Sequence, residues 1–229
     1  MSNVSPHDTR SIIDLLRGVQ DFNIRVFPEK QDLFSDLASG QSPHTLFITC
    51  ADSRVSPEMI TQQQPGAMFV LRNIGNIVPA YGEMLGGVSA AIEYAVLALD
   101  VRHIIVCGHS DCGAMKALLD PEAHGLDGMP TVASWLRNAE TARAVTAAIH
   151  PEARGAQAVA ALSEQNVLLQ LDHLRTHPSV AARIAEGRLL LQGWLYDIAT
   201  GRIGVFDSQT RSVQTVDAVL DTLRDRDIP

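Results

Sequence analysis

The sequence predicts an α/β fold: a mainly parallel central β-sheet with flanking helices, an N-terminal helical arm and an antiparallel edge hairpin. Three observations predict it. Short apolar runs bounded by polar loops recur along the chain and alternate with longer segments of helical periodicity. Strands separated by helices are joined by crossovers, which makes them parallel. Late in the chain two apolar runs are parted only by a turn at Thr200 and Gly201, which makes a hairpin.

The elements follow in order. Residues 1–39 form the arm: Ile13, Leu16, Val19, Phe22 and Val26 share one helical stripe, and a short helix after Pro28 turns Leu33, Phe34 and Leu37 inward. Thr45–Thr49 is a short apolar run bounded by Pro43 and a polar loop, hence a buried strand; Ala67–Leu71 is a second. Gly86–Leu99 is almost wholly apolar and Ala-rich, which suits a buried helix whose Gly86 and Gly87 permit close packing on a neighbour. His103–Cys107 is the third strand. Ser134–Ile149 is an amphipathic helix with Trp135, Leu136, Ala139 and Val145 on one face, and Gln157–Leu174 is another helix. Leu189–Tyr196 and Arg202–Phe206 are the strands of the hairpin. The 229 residues suffice for one sizeable domain, 1–229, and are short for two.

Composition narrows the function. Hydrophobic residues make up 46% and charged residues 19%, so a packed core is feasible. The formal net charge is -8 with no basic run, which argues against a nucleic-acid partner. No apolar run approaches the ~20 residues of a membrane-spanning helix. The first residues lack a basic stretch leading into an apolar core. The expectation is a cytoplasmic protein with no membrane partner. Three cysteines, Cys50, Cys107 and Cys112, are too few and odd in number for a disulfide scaffold.

Two strands lead directly into candidate metal ligands. The first runs into Cys50 of Cys50-Ala-Asp52-Ser-Arg54; the third runs into Gly108-His109-Ser-Asp-Cys112-Gly113. In an open parallel sheet, sites gather outside the carboxyl ends of strands, so neighbouring strands bring Cys50, His109 and Cys112 together. Gly108 and Gly113 leave the backbone room to bend around a metal. Two thiolates and one imidazole suit tetrahedral Zn²⁺, and three protein ligands leave a fourth position open, as catalysis requires. Each motif alone has a plainer meaning. A cysteine at a strand end is usually a small buried hydrophobe, and Asp52 with Arg54 can be an ordinary surface ion pair. Cys107, inside its strand, belongs to the core. Cys107 and Cys112 lack the spacing of a thiol redox pair, and no Gly-rich nucleotide loop follows a strand. The other histidines, including His44, His103, His124, His173 and His177, read as surface residues.

Taken together, Cys50-Ala-Asp52-Ser-Arg54, Arg72-Asn73-Ile-Gly-Asn76 and Gly108-His109-Ser-Asp-Cys112-Gly113 resemble, in order and spacing, the signature of the β-class carbonic anhydrases. The likeness runs from about the first helix to Gly193–Asp197. Gly86–Ala95 and Gln41-Ser-Pro resemble the plant-type subclass, most of all its bacterial members encoded beside cyanase. The resemblance implies reversible hydration of carbon dioxide to bicarbonate by hydroxide generated on zinc. It implies Cys50, His109 and Cys112 as zinc ligands and Asp52–Arg54 as a dyad beside the metal. Gln41 is implied as an amide bonding substrate or bicarbonate, Phe69, Ile74 and Tyr94 as the apolar carbon dioxide pocket, partly from a second subunit, and Gly113 as a backbone border. A homo-oligomer, dimer or larger, follows from that shared pocket. Members with an inhibitory bicarbonate site carry Trp where this chain has Phe47, although Arg72 and Tyr196 are similar to the rest of it; that regulation is not expected here. Two thiolates cancel the formal charge of zinc, so its bound water should be more basic than in a three-histidine site, where the pKa is about 7. If Arg54 releases Asp52, the carboxylate can itself take the fourth position. The rival readings are a carbon disulfide or carbonyl sulfide hydrolase with the same zinc site, and a non-catalytic zinc protein.

Overall fold

The computed structural model describes residues 6–83, 86–207 and 210–226, so the first five residues of the expected arm lie outside it. The chain separates into two compact units, Met1–Gln41 and Ser42–Pro229. The first unit is helical. Helix α1 (Pro6–Asp21) runs through a wider turn at Phe22–Val26 into α2 (Phe27–Glu29), and α3 (Gln31–Leu37) follows. Phe27 stacks on Phe34 at 5.2 Å between ring centroids, and Phe22 sits edge-on to both. Ile13, Leu16 and Val19 of the expected helical stripe are exposed.

The second unit is built on a six-stranded sheet in the order β2-β1-β3-β4-β5-β6. Its strands are β1 (Thr45–Cys50), β2 (Met68–Asn73), β3 (His103–His109), β4 (Leu190–Tyr196), β5 (Ile203–Phe206) and β6 (Val213–Thr215). The first four pair in parallel, and β5 and β6 add antiparallel at one edge. Every residue of β1 is buried, because both faces of the sheet are covered. Leu46, Ile48, Ile104 and Val106 point into one core cluster, while Phe47, Ile105 and Cys107 fill the other face. Helix α9 (Gly155–Thr176) crosses β3 and β4 closely. A Cβ at Gly108 would lie 2.7 Å from Val167 Cγ2, and one at Gly193 would lie 2.8 Å from Val167 Cγ1. Gly108 therefore serves the approach of α9 rather than a bend around a metal.

Three expectations are corrected. The segment Gly86–Leu99 is helix α5 (Gly87–Glu93) followed by a wider turn at Tyr94–Ala98. Only Ser89, Ile92, Ala95 and Val96 are buried; Tyr94 and Leu97 are about half exposed, so the segment covers the sheet with one face. Apart from adjacent residues and the helix's own backbone, nothing described in this chain lies within 4 Å of a Cβ built on Gly86 or Gly87. Ser134–Ile149 is not one helix: α7 (Pro130–Leu136) ends in a tight turn at Arg137–Ala139, and α8 (Glu140–Ile149) starts anew. The new axis buries Ala142 and Thr146 and exposes Val145. His177 is not at the surface but buried, bonded through Nε2 to the Pro79 carbonyl at 3.1 Å. The sequence reading also passed over α4 (Pro57–Thr61), α6 (Gly113–Leu119), α10 (Pro178–Ala185), strand β6 and α11 (Val216–Arg226).

Candidate metal centre

Cys50 and His109 are the last residues of adjacent parallel strands, so both lie at the carboxyl edge of the sheet. After His109 the chain turns through Ser110 and Asp111, the latter at φ +59°, and Cys112 then caps α6. The turn returns Cys112 to the two strand ends. One ligand atom from each of Cys50, His109 and Cys112 lies within 4.8 Å of the others, and all three side chains are buried.

The donor set fits a soft or borderline cation. His109 Nδ1 donates to the Ser110 carbonyl at 2.9 Å, since a carbonyl can only accept. In the neutral ring that fixes the tautomer and leaves the lone pair on Nε2. This Nε2 is buried and has no hydrogen-bond partner among the described residues. An unpaired buried nitrogen beside two sulfurs is costly unless a ligand takes it. The neighbouring Cys112 sulfur, His109 and nearby backbone N–H groups favour Cys50 as the thiolate, against the opposing effect of burial. Its thiolate and the burial of the site push Cys112 upward in turn. A cation entering the cluster would displace the thiol proton and take both sulfurs as thiolates.

The Cys50–Arg54 loop is pinned from several sides. Arg54 grips both carboxylate oxygens of Asp52, with Nε 2.9 Å from Oδ1 and Nη2 2.7 Å from Oδ2. The Arg54 fork holds Asp52 far below the usual carboxylate range. Asp52 Oδ2 lies 3.9 Å from His109 Nε2, on the border of the cluster. Two further residues support the dyad. Arg72 bonds the carbonyls of Cys50 and Asp52, at 3.2 and 2.7 Å. Asp111 accepts from Arg54 Nη1 at 3.1 Å and pairs with Lys116. Asp111 escaped the sequence reading, although its place between two ligands could have drawn attention to it.

The other sequence candidates fall as follows. Phe69 on β2 and Tyr94 after α5 are neighbours, their ring centroids 6.0 Å apart, with Phe69 half-buried and Tyr94 exposed. Ile74 follows β2 and is 44% exposed; its carbonyl accepts from Trp135 Nε1 at 2.8 Å. Gly113 is the first residue of α6, directly after Cys112. Gln41 is exposed at the end of the first unit. Cys107 is fully buried in the sheet, where burial pushes its thiol up to about 12, so it is a core residue and no ligand. None of the three cysteines forms a disulfide.

Comparison with known proteins agrees with this geometry. A family model described as carbonic anhydrase matches residues 45–203. A carbonic anhydrase of Pseudomonas aeruginosa is 51% identical over 198 residues, covering 86% of this chain and 89% of the relative. The solved structure of the β-carbonic anhydrase CcaA superposes with a TM-score of 0.87 at 40% identity, covering 90% of this chain and 92% of the other. One of two tetrameric β-carbonic anhydrases from Sordaria macrospora superposes with a TM-score of 0.68 at 33% identity, covering 87% and 95%. With matching sequence, matching sheet and a Cys–His–Cys cluster at the strand ends, this chain belongs to the β-class carbonic anhydrase family.

Proposed function

We propose that the chain interconverts carbon dioxide and bicarbonate with a zinc ion held by Cys50 Sγ, His109 Nε2 and Cys112 Sγ. The observation that carries this reading is the buried, unpartnered Nε2 beside two sulfurs. When bound there, zinc supplies the Lewis acidity that makes water a nucleophile, moderated by two thiolates. The protein's own groups do the rest. Arg54 orients Asp52 and keeps it ionised, so Asp52 accepts the hydrogen bond of the attacking hydroxide and aims a lone pair at carbon dioxide. A carboxylate held so far from protonation orients the nucleophile and does not store its proton. The same grip favours Asp52 staying off the metal.

Phe69, Ile74 and Tyr94 are assigned to the apolar wall that takes carbon dioxide, Gly113 to its backbone border and Gln41 to an amide that bonds bicarbonate. We assign the chain to the plant-type subclass and, within it, to the bacterial members encoded beside cyanase, on Gln41 and Gly86–Ala95. The exposed apolar side chains Leu15, Leu16, Ile24 and Leu97 support a homo-oligomer. Free thiols that must serve as ligands suit the cytoplasm. Among the described residues no helix is long and apolar enough to cross a membrane.

Metal analysis joined to a pH–rate profile tests the reading. A single zinc per chain and hydration that climbs toward alkaline pH are expected, because the thiolate-rich site is a weak Lewis acid. Full zinc occupancy with a flat profile would refute the weak-acid argument, and protein that takes no zinc would refute the site.

A further inference from the structure

The segment after β2 starts beside Cys50, because Asn73 pairs with Cys50 across β1 and β2, and its anchorage lies far away in sequence. Gly75 sits at φ +77°, buried, and a Cβ there would meet Ala114 Cβ at 3.1 Å. The same Cβ would meet Met115 Cε at 3.3 Å, so the Gly75 turn lies against the start of α6, directly after Cys112. The Gly75 carbonyl accepts from Asn166 Nδ2 at 2.9 Å. Asn166 Oδ1 accepts from Gln170 Nε2 at 2.8 Å, and Gln170 Oε1 accepts from the Val78 N–H at 2.8 Å. Both side chains are buried, 1% and 0% exposed, one helical turn apart on α9.

This chain of bonds has only one direction. The Gly75 carbonyl can only accept, so Asn166 must turn its NH₂ toward it. The Val78 N–H can only donate, so Gln170 must turn its oxygen there. The two amides then meet donor to acceptor with no alternative orientation. Both ends are backbone groups of the same short segment, so the pair fixes its span as well as its place. The same helix continues the clamp through His173 Nδ1, which bonds the Val78 carbonyl at 2.7 Å.

We propose that Asn166 and Gln170 are positioning residues for the metal centre: their buried amide chain holds the Gly75 turn against Ala114 and Met115 of α6, directly after Cys112. The inference rests on the metal-site reading above. Removing an outer partner of a metal ligand commonly weakens metal binding about 10-fold to 100-fold. Asn166→Leu frees the Gly75 carbonyl and loosens the turn that packs on α6 after Cys112. Gln170→Met breaks the chain one bond further out, so its effect is in the same direction and smaller. Ser163→Ala is the control: Ser163 is buried on α9 and bonds only the Val159 carbonyl within the same helix.

The experiment loads each variant with zinc and follows its release to a chelator, then repeats the loading with cobalt and records the thiolate-to-cobalt charge-transfer band. Asn166→Leu is expected to release zinc about tenfold faster and to shift the band, with Gln170→Met between it and the unaltered protein. Ser163→Ala should match the unaltered protein in both. If Asn166→Leu does not fold, Gln170→Met carries the same comparison. Wild-type rates and bands in the folded variants would overturn the proposal, as would an equal change in Ser163→Ala, which would reduce the effect to helix stability. An unaltered protein that binds neither metal would instead overturn the metal site itself.

Discussion

Asp52 shows how a single side chain can be placed for one task. Both of its oxygens are engaged by Arg54, yet Oδ2 still lies 3.9 Å from the unpartnered nitrogen of His109. It faces the metal cluster as an acceptor and is restrained from entering it. Asp52→Ala should lower turnover about 100-fold while zinc content stays unchanged, because one preorganised electrostatic contact is removed and no ligand is. Asp111→Ala, which strips the exposed partner shared by Arg54 and Lys116, should cost no more than a few-fold. Steady-state rates set beside metal content check both, and an Asp52→Ala enzyme at full rate would remove the assigned role. The sign of the acid response follows from the same pair. Arg54 depresses the Asp52 carboxyl, so its contribution to stability is complete above the unfolded value of about 3.9 and is lost as pH falls toward the lower folded value.

At the scale of elements, the sheet rests on close approaches that only glycine permits. A Cβ at Gly193 would meet Val167 at 2.8 Å and both Leu171 and Phe206 at 3.0 Å, which presses β4 and α9 apart. Gly193→Ala should destabilise the protein by about 1–3 kcal/mol, read as a lowered urea midpoint with an unchanged slope; an unchanged midpoint would show that α9 yields freely. The parallel strands were legible because each is a short apolar run flanked by polar punctuation, and their ends carried Cys50 and His109 visibly. Helix α5 was misjudged for the converse reason. A segment apolar on every side has no stripe to say which face is covered, and Tyr94 and Leu97 turn outward. The break between α7 and α8 has no proline or glycine to announce it. Nor can sequence show that Asn166 reaches Gly75, 91 positions away: two amides in a helix look like ordinary surface residues until the fold buries them.

Across the molecule, strand order turns separate motifs into one site. β1 and β3 are neighbours and parallel, so residues 50 and 109 end at the same edge, and α6 begins there with Cys112. The parallel direction of the strands therefore decides the chemistry: with β3 reversed, His109 would lie at the opposite edge from Cys50. The Met1–Gln41 unit keeps Leu15 and Ile24 about two-thirds exposed, a surface that a second copy can cover. All of this converges on one claim, that a cation at Cys50, His109 and Cys112 drives carbon dioxide hydration. Stopped-flow hydration measured before zinc chelation, after it and after zinc is restored tests that claim most directly. The account predicts rapid hydration, its loss on chelation and its return with zinc; zinc-loaded, folded protein with no hydration at any pH would contradict it.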